Sequence, residues 1–502
     1  MTATTVAAQA TSRQAPAEER SGGLDRRTLV LGGVVVLGSV TAIIDATIVN
    51  VAIPTLGADF HTSISAIAWV MTGYLLAFAA VIPLTGWVST RFGARRVWLA
   101  CLGLFMLGSL LAGLSWSIEA LIGFRIVQGL AGGMIMPLGQ TILAQAVGPD
   151  RVGRVMSILG VPMLLAPISG PVVGGAVIQQ ASWRWLFFLN LPIGVAAVLL
   201  AWRLLPETPT RPGDRPDLRG LVLLPPGIAL FVYGLSEVGA RGRLDAGGMA
   251  VAAAGLALVA GYGWHARGRT DALVDLSLFR RRGFATAAVT TLVVGIALFG
   301  TLILLPLYFQ FARGEGPLAT GLLLAPQGLG AAVAMPIAGW LTDRIGARWV
   351  VPAGIGLGLL GTAGYTQVGA DTSSGYLAAA LFVIGLGLGS TVMPAMALAY
   401  QSVPREAMPA ASSALNTLQR IAGSFGTALL AVVLQRAVEA ELPGLPGGIG
   451  AVGTLRSRDL LDVLPALARA FDTAFWFAFG LGLVALVPAL LLRANRTEGA
   501  AR

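Results

Sequence analysis

Apolar runs of about twenty residues recur along almost the whole of this chain, and nothing constrains its fold as strongly. A helix needs about 20 mostly apolar residues to cross a bilayer. Only 12% of the 502 residues are charged and 56% are hydrophobic, against roughly 25% charged in a soluble domain. So few polar side chains cannot clothe a water-facing surface, so lipid must be the solvent for most of the chain. Lipid offers backbone groups no hydrogen bonds, which leaves helices as the structure for runs of this length. The 66 glycines would weaken helices in water but suit helices packed closely within a bilayer.

Fourteen segments qualify as spans, at roughly 28–51, 66–90, 97–117, 118–146, 154–179, 185–205, 220–237, 247–266, 284–310, 318–341, 349–369, 375–401, 409–436 and 470–492. The expected fold is an all-α membrane protein with 14 transmembrane helices. Polar loops fall at 205–219 and 267–282, and a longer one at 438–469. In the second loop Leu273, Leu276 and Phe279 recur every third residue and suggest a short helix on the membrane surface. The N-terminal segment 1–25 is rich in Ala, Thr, Ser and Glu and reads as disordered; no cleavable signal peptide pattern precedes the first run, which is expected to stay as an anchor.

The formal net charge is +10, and every basic residue is Arg. With the N-terminus inside, 24 Arg fall in cytoplasmic segments, 8 in external ones and 2 in spans. The excess follows the positive-inside rule and points to lipid, not nucleic acid, as the partner of this charge. An even number of crossings places both termini in the cytoplasm. The absence of Lys excludes a Walker A loop, and with it ATP drive of that kind. The single Cys101 allows no disulfide within the chain, and His61 and His265 are too far apart for a zinc-protease pair. No cofactor or metal is called for, and nothing suggests an enzyme.

The chain also repeats itself. The loop Gly86-Trp87-Val88-Ser89-Thr90-Arg91-Phe92-Gly93-Ala94-Arg95 aligns with Gly339-Trp340-Leu341-Thr342-Asp343-Arg344-Ile345-Gly346-Ala347-Arg348, and Pro83 aligns with Pro336. Both copies sit where a span meets the cytoplasm. A duplicated six-helix half is a known build of one large transporter class. The organisation expected is a six-helix half over 26–205, two linker helices with flanking loops over 206–282, a second six-helix half over 283–492 and a cytoplasmic tail over 493–502.

These loops resemble the cytoplasmic loop motif of the major facilitator superfamily. Leu121-Ile122-Gly123-Phe124-Arg125-Ile126-Val127-Gln128-Gly129 resembles its fourth-helix motif, and Gly170-Pro171-Val172-Val173-Gly174-Gly175 its antiporter fifth-helix motif. Asp45–Pro54 and Ser182–Asn190 resemble the fourteen-helix drug:proton antiporter branch. The resemblance implies proton-coupled export of hydrophobic or amphipathic small molecules, driven by the proton gradient, by a monomer in the bacterial plasma membrane. Export of one metabolite or of a lipid is the alternative, and a membrane enzyme or sensor a more distant one. It also implies conformational gating through Gly86, Arg91, Gly93, Arg95, Gly339, Asp343, Arg344 and Gly346 in the loops and Gly170, Pro171 and Gly174 in the fifth span. The family's acidic loop residue is Thr90 in the first copy, which puts a charge-pair role there in doubt.

Charges inside spans are costly and mark functional candidates. Asp45 lies about six residues and Arg125 about seven from the external ends of their helices, roughly 9 and 10 Å at the helical rise. The matched depths let them meet, either as a proton site or as a permanent ion pair. Glu237, near the external end of the seventh span, is an accessory candidate or a solvated helix end. Arg420 is placed either to bind an anionic substrate group or to snorkel towards the cytoplasm. Aromatic, amide and Met side chains suit an adaptable, mostly apolar cavity; the candidates are Asn50, Trp69, Tyr74, Gln128, Gln140, Tyr308, Gln310, Gln327, Met393, Asn416, Gln419 and Arg420.

Overall fold

A computed structural model describes residues 26–147, 151–210, 216–269, 272–369, 372–443, 452 and 457–492. No strand occurs among them, and a helix occupies each of the fourteen apolar segments. In the first part of the chain these are α1 (Arg26–Ile48), α2 (Ile64–Val81), α3 (Leu84–Phe92), α4 (Ala94–Gly113), α5 (Ile118–Val147), α6 (Val152–Gln180) and α7 (Asn190–Leu204). The middle pair is α8 (Leu218–Arg241) and α9 (Ala246–His265). Then follow α10 (Arg282–Leu307), α11 (Pro317–Ile345), α12 (Ala347–Ala363), α13 (Ser374–Gly389), α14 (Val392–Gln401), α15 (Met408–Glu441) and α16 (Ser457–Leu490). Among the described residues eleven helices are long and apolar enough to cross a membrane, or twelve with the bent pair α2–α3 counted as one span.

The break in that pair is a departure from the continuous span expected at 66–90. The two helices meet at 59°. Pro83 stands at the break, and proline lacks the N–H that an unbroken helix needs while its ring crowds the preceding turn. The hydroxyl of Ser413 donates to the carbonyls of Ile82 at 3.1 Å and Pro83 at 3.0 Å, so the bend is held from α15. Its counterpart Pro336 lies inside α11, which runs unbroken past it. The segment after α9 forms a short 3-10 helix, Leu276–Arg280. The external loop expected at 438–469 is shorter than its sequence suggests, because α15 runs on to Glu441 and α16 begins at Ser457. Arg469 pairs with Glu441 at 2.7 Å across it.

The repeat seen in the loops recurs in the packing. On α5, a Cβ at Gly129 would stand 2.4 Å from the Tyr74 carbonyl oxygen, and one at Gly133 2.3 Å from that of Phe78. On α13, Gly385 meets the Gln327 carbonyl at 2.1 Å and Gly389 that of Ala331 at 2.7 Å in the same way. The offset that relates Gly86 to Gly339 also relates Tyr74 to Gln327 and Phe78 to Ala331. In each pair the missing side chain lets two backbones touch, and such contact drives helix association where lipid competes for apolar surface.

The middle pair packs as a hairpin, Gly234 against Ala252 and Gly255 against Phe231. From there α8 reaches α2 on one side and α15 on the other. Asp217 clamps the hairpin's base. It accepts from the Gly220 N–H at 2.9 Å, from His265 at 2.8 Å and from the Leu273 N–H at 3.3 Å.

The close approach predicts a sharp contrast. Gly129→Val should destabilise the protein by about 1–3 kcal/mol, the usual cost of overpacking. Gly123→Ala, on the same helix with open space around it, should leave the melting temperature in detergent unchanged. Equal melting of the two variants would mean that the α2–α5 contact does not limit stability.

Candidate functional site

Asp45 and Arg125 meet, and both are fully buried. Arg125 Nη1 donates to Asp45 Oδ2 and, at 2.7 Å, to Gln128 Oε1. The other carboxylate oxygen accepts from Gln128 Nε2 at 3.0 Å and from Asn190 Nδ2 at 2.7 Å. Asn190 also donates to Ser109 Oγ at 3.0 Å, and Ser109 donates to the Phe187 carbonyl at 2.8 Å. The guanidinium lies 4.0 Å from the Tyr74 ring centroid and 5.6 Å from that of Phe187. Tyr74 in turn donates to the Ala42 carbonyl at 3.1 Å. Five segments thus close around one carboxylate. The pair is possible in lipid because each charge supplies what the other lost on leaving water.

The segments converge there for local reasons. Gln128 follows Arg125 by three residues, so both project from one face of α5. Gly108 lets α4 approach the backbone of Gln128, where a Cβ would stand 3.2 Å from its Cα. Just past Asp45, α1 is gripped by α6: a Cβ at Gly170 would stand 2.0 Å from Thr47 Oγ1, and one at Gly174 2.9 Å from Ile48 Cγ1. The side chains of Pro171 and Asn50 lie outside the described residues.

A cavity of about 490 Å³ opens beside this cluster, between α1, α2, α5, α8, α10 and α15. Asn416, Gln419 and Arg420 line it, with Phe78, Tyr233 and Phe299. The Arg420 guanidinium lies 4.2 Å from the Phe78 ring centroid, and Arg420 lines the cavity. A neighbouring cavity of about 250 Å³ is walled by Gln327, Met393, Leu298 and Leu324, and shares Phe299 and Gln419 with the first.

Other cavity candidates lie elsewhere, and the expectation for them is corrected. Tyr74 and Gln128 belong to the Asp45 cluster. Gln140 is buried between α5 and α15, accepting from Asn416 at 2.7 Å and Tyr400 at 3.3 Å. Tyr308 is packed among Tyr365, Phe471 and Phe475. Trp69 is exposed and stacks on Tyr233 from outside, with ring centroids 5.8 Å apart. Gln310 is exposed as well. Glu237 is not drawn to Asp45; it pairs with Arg241 at 3.1 Å at the half-exposed end of α8.

The loop motifs occupy two related crossings. A Cβ at Gly86 would stand 3.2 Å from Ala410 Cα on α15, and one at Gly339 3.0 Å from the Gly153 carbonyl on α6. Gly93 and Gly346 close α3 and α11 at φ of 88° and 86°, where a side chain would strain the backbone. Asp343 pairs with Arg154 of α6 at 3.1 Å. The offset relating Gly129 to Gly385 relates Arg154 to Ala410, so at the first crossing both partners are missing, replaced by Thr90 and Ala410. Arg95 pairs with Glu207 at 2.7 Å, on the loop that follows α7. Arg91 lies 6.0 Å from the Phe92 ring and Arg344 4.0 Å from that of Trp340.

Residues 35–427 match the family model described as Major Facilitator Superfamily. The chain belongs to that superfamily. It is 42% identical over 416 residues to the "Multidrug resistance protein B homolog" of Mycobacterium tuberculosis, covering 82% of this chain and 77% of that one. It is 32% identical over 415 residues to the "Multidrug export protein EmrB" of Haemophilus influenzae, covering 82% and 80%. Among solved structures, the human organic anion transporter MFSD10 shares the fold with a TM-score of 0.60 at 18% identity, covering 92% of this chain and 99% of that one. With these relatives and its many apolar helices, the chain is a multi-pass membrane protein.

Sequence reasoning passed over Asn190, Ser109, Tyr233 and Arg154 as site residues. Asn190 stood in a quoted motif, but a neutral amide at a helix start carries none of the cost that singles out a buried charge.

Removing one charge of a buried pair leaves the other uncompensated, at about 3–5 kcal/mol. Asp45→Asn should therefore lower the melting temperature in detergent, and Asp45→Asn with Arg125→Gln should recover most of the loss. A double variant as unstable as the sum of the singles would show that the two charges do not stabilise each other.

Proposed function

We propose that this chain is a proton-coupled secondary exporter of hydrophobic or amphipathic small molecules, including drugs, working by alternating access. The observation that carries the reading is the sealed Asp45–Arg125 cluster standing beside a mostly apolar cavity. Membership of the superfamily and similarity to proteins named for multidrug resistance and export support it. We read the chain as fourteen crossings of a bacterial plasma membrane by a monomer, with both termini cytoplasmic and two six-helix halves joined by α8 and α9.

The chemistry follows from what each group can do. Arg stays charged, so it does not carry the proton. Asp45 can accept one, and a neutral Asp45 no longer holds Arg125 as a counter-ion. The guanidinium is then left with the neutral acceptors it already has, Gln128 Oε1 at 2.7 Å and the Val70 carbonyl at 3.4 Å. This change loosens α1 from α5. It reaches α6 through Thr47 and Ile48, which pack on Gly170 and Gly174. Protonation from outside favours one arrangement of the halves and substrate from inside the other, each through its difference in affinity for the two states. The contacts of Gly86 with α15 and Gly339 with α6 are those that must part when the cytoplasmic side opens. Glu237, bound to Arg241 at a solvated helix end, is assigned no part in the main proton path.

The test is proton movement in inverted vesicles on adding a neutral amphipathic dye, with wild type and Asp45→Asn inserted in matched, folded amounts. The dye should dissipate the proton gradient with wild type and not with the variant. Equal dissipation would make Asp45 a purely structural residue and end its role as the coupling site.

A further inference from the structure

We infer that the cavity selects substrates carrying one anionic group on an apolar body, and that Arg420 is the residue that binds the anion. This rests on the exporter reading and names the substrate class of the same site.

Arg420 is the one charged side chain among the residues that line the larger cavity. Arg420 is an exposed residue that borders that space. Among the described residues no carboxylate pairs with it, and its contact is with the Phe78 ring. Arg125, by contrast, has a carboxylate partner in Asp45 and lies against two aromatic faces. An uncompensated charge within a span is expensive, and such charges ordinarily find a partner. Here the protein supplies none, so the partner that fits is a ligand. A guanidinium presents a planar fork of donors that matches a carboxylate, sulfonate or phosphate oxygen pair.

The surroundings complete the site. Asn416, Gln419, Ser424 and Thr427 stand on the same helix as Arg420 and line the same space, where their amides and hydroxyls can bind the rest of a polar head. Phe299 and Gln419 border both cavities, and the smaller cavity is walled by Leu298, Leu302, Leu324 and Met393. A head at Arg420 therefore has an apolar compartment beside it. Tyr233 and Ser236 bring α8 into the wall, so a linker helix takes part in recognition.

The probes are 2-naphthoate, 2-naphthamide and 2-naphthylmethylammonium, which share one ring system and carry charges of opposite sign or none. Their dissociation constants are measured by calorimetry on the full chain in nanodiscs. Wild type should bind the carboxylate at least tenfold more tightly than the amide, and the ammonium most weakly. Arg420→Gln should remove the preference for the carboxylate while changing amide binding less than threefold, and Arg420→Lys should restore part of it. Melting temperatures check that the variants fold. Wild type with no preference for the carboxylate, whether the three bind alike or none binds, overturns the proposal, as does a preference that survives Arg420→Gln in folded protein. Dye-driven proton movement in the same preparations separates the two readings. Charge preference without Asp45-dependent proton movement sinks the exporter reading alone, and proton movement without charge preference sinks the anion site alone.

Discussion

A carboxylate and a guanidinium shut away from water must satisfy each other, and the first part of the chain is arranged so that they do. Asp45 comes from α1 and Arg125 from α5; Gln128 and Asn190 add hydrogen bonds, Ser109 supports Asn190, and Tyr74 adds a ring contact. The cluster ties α1 to α5 through a charge pair. It also makes the junction conditional, because one proton removes one of its two charges. A contact of Leu with Leu would hold the helices as well and could not be switched.

The repeat shows which features belong to the scaffold and which were added. Glycine contacts between α2 and α5 recur between α11 and α13, and the crossings at Gly86 and Gly339 recur with Ser413 and Ser157 in matching places. The charges do not recur. Arg125 corresponds to Leu381 in the second copy and Tyr74 to Gln327. The ion pair Asp343–Arg154 corresponds to Thr90 and Ala410 in the first. Both members are replaced together, as the cost of a lone charge requires: an acid or a base left alone at either crossing would be worse than neither. Backbone packing is therefore shared, while the polar pairs, Asp45–Arg125 within the first copy and Asp343–Arg154 between the copies, are not repeated.

Much of this was legible in the sequence, because lipid makes the signals large. A missing charge over twenty residues marks a helix, and the distance of Asp45 and Arg125 from their helix ends was enough to set them at one level. What could not be read was rotation about the helix axis. Tyr74, Gln128, Gln140 and Tyr308 have the side chains of a binding cavity, but each faces a neighbouring helix, and an apolar stripe tells little when lipid and protein are both apolar. The bend at Pro83 against the unbroken helix at Pro336 was hidden for a related reason. Whether a helix bends at a proline depends also on what holds the bend, and at Pro83 the carbonyls of Ile82 and Pro83 are met by Ser413, far away in sequence.

The middle helices bear on how such a molecule can move. Tyr233 and Ser236 of α8 line the larger cavity, and α8 packs on both α2 and α15. These two neighbours lie on opposite sides of the repeat, so motion that parts them must work against one contact of α8. The two contacts differ in kind. Towards α15 a Cβ at Gly239 would stand 3.2 Å from the Ala428 backbone, and Gly242 sits against the Gln435 side chain. Such close fits do not slide without opening a void. Towards α2 the contact includes Trp69 stacked on Tyr233, rings inclined by 26°, and flat faces can shift past one another at little cost. Under the proposed alternating access, a linker that is keyed to one half and rests on the other by a ring face would keep the cavity walled on that side while the halves change their angle.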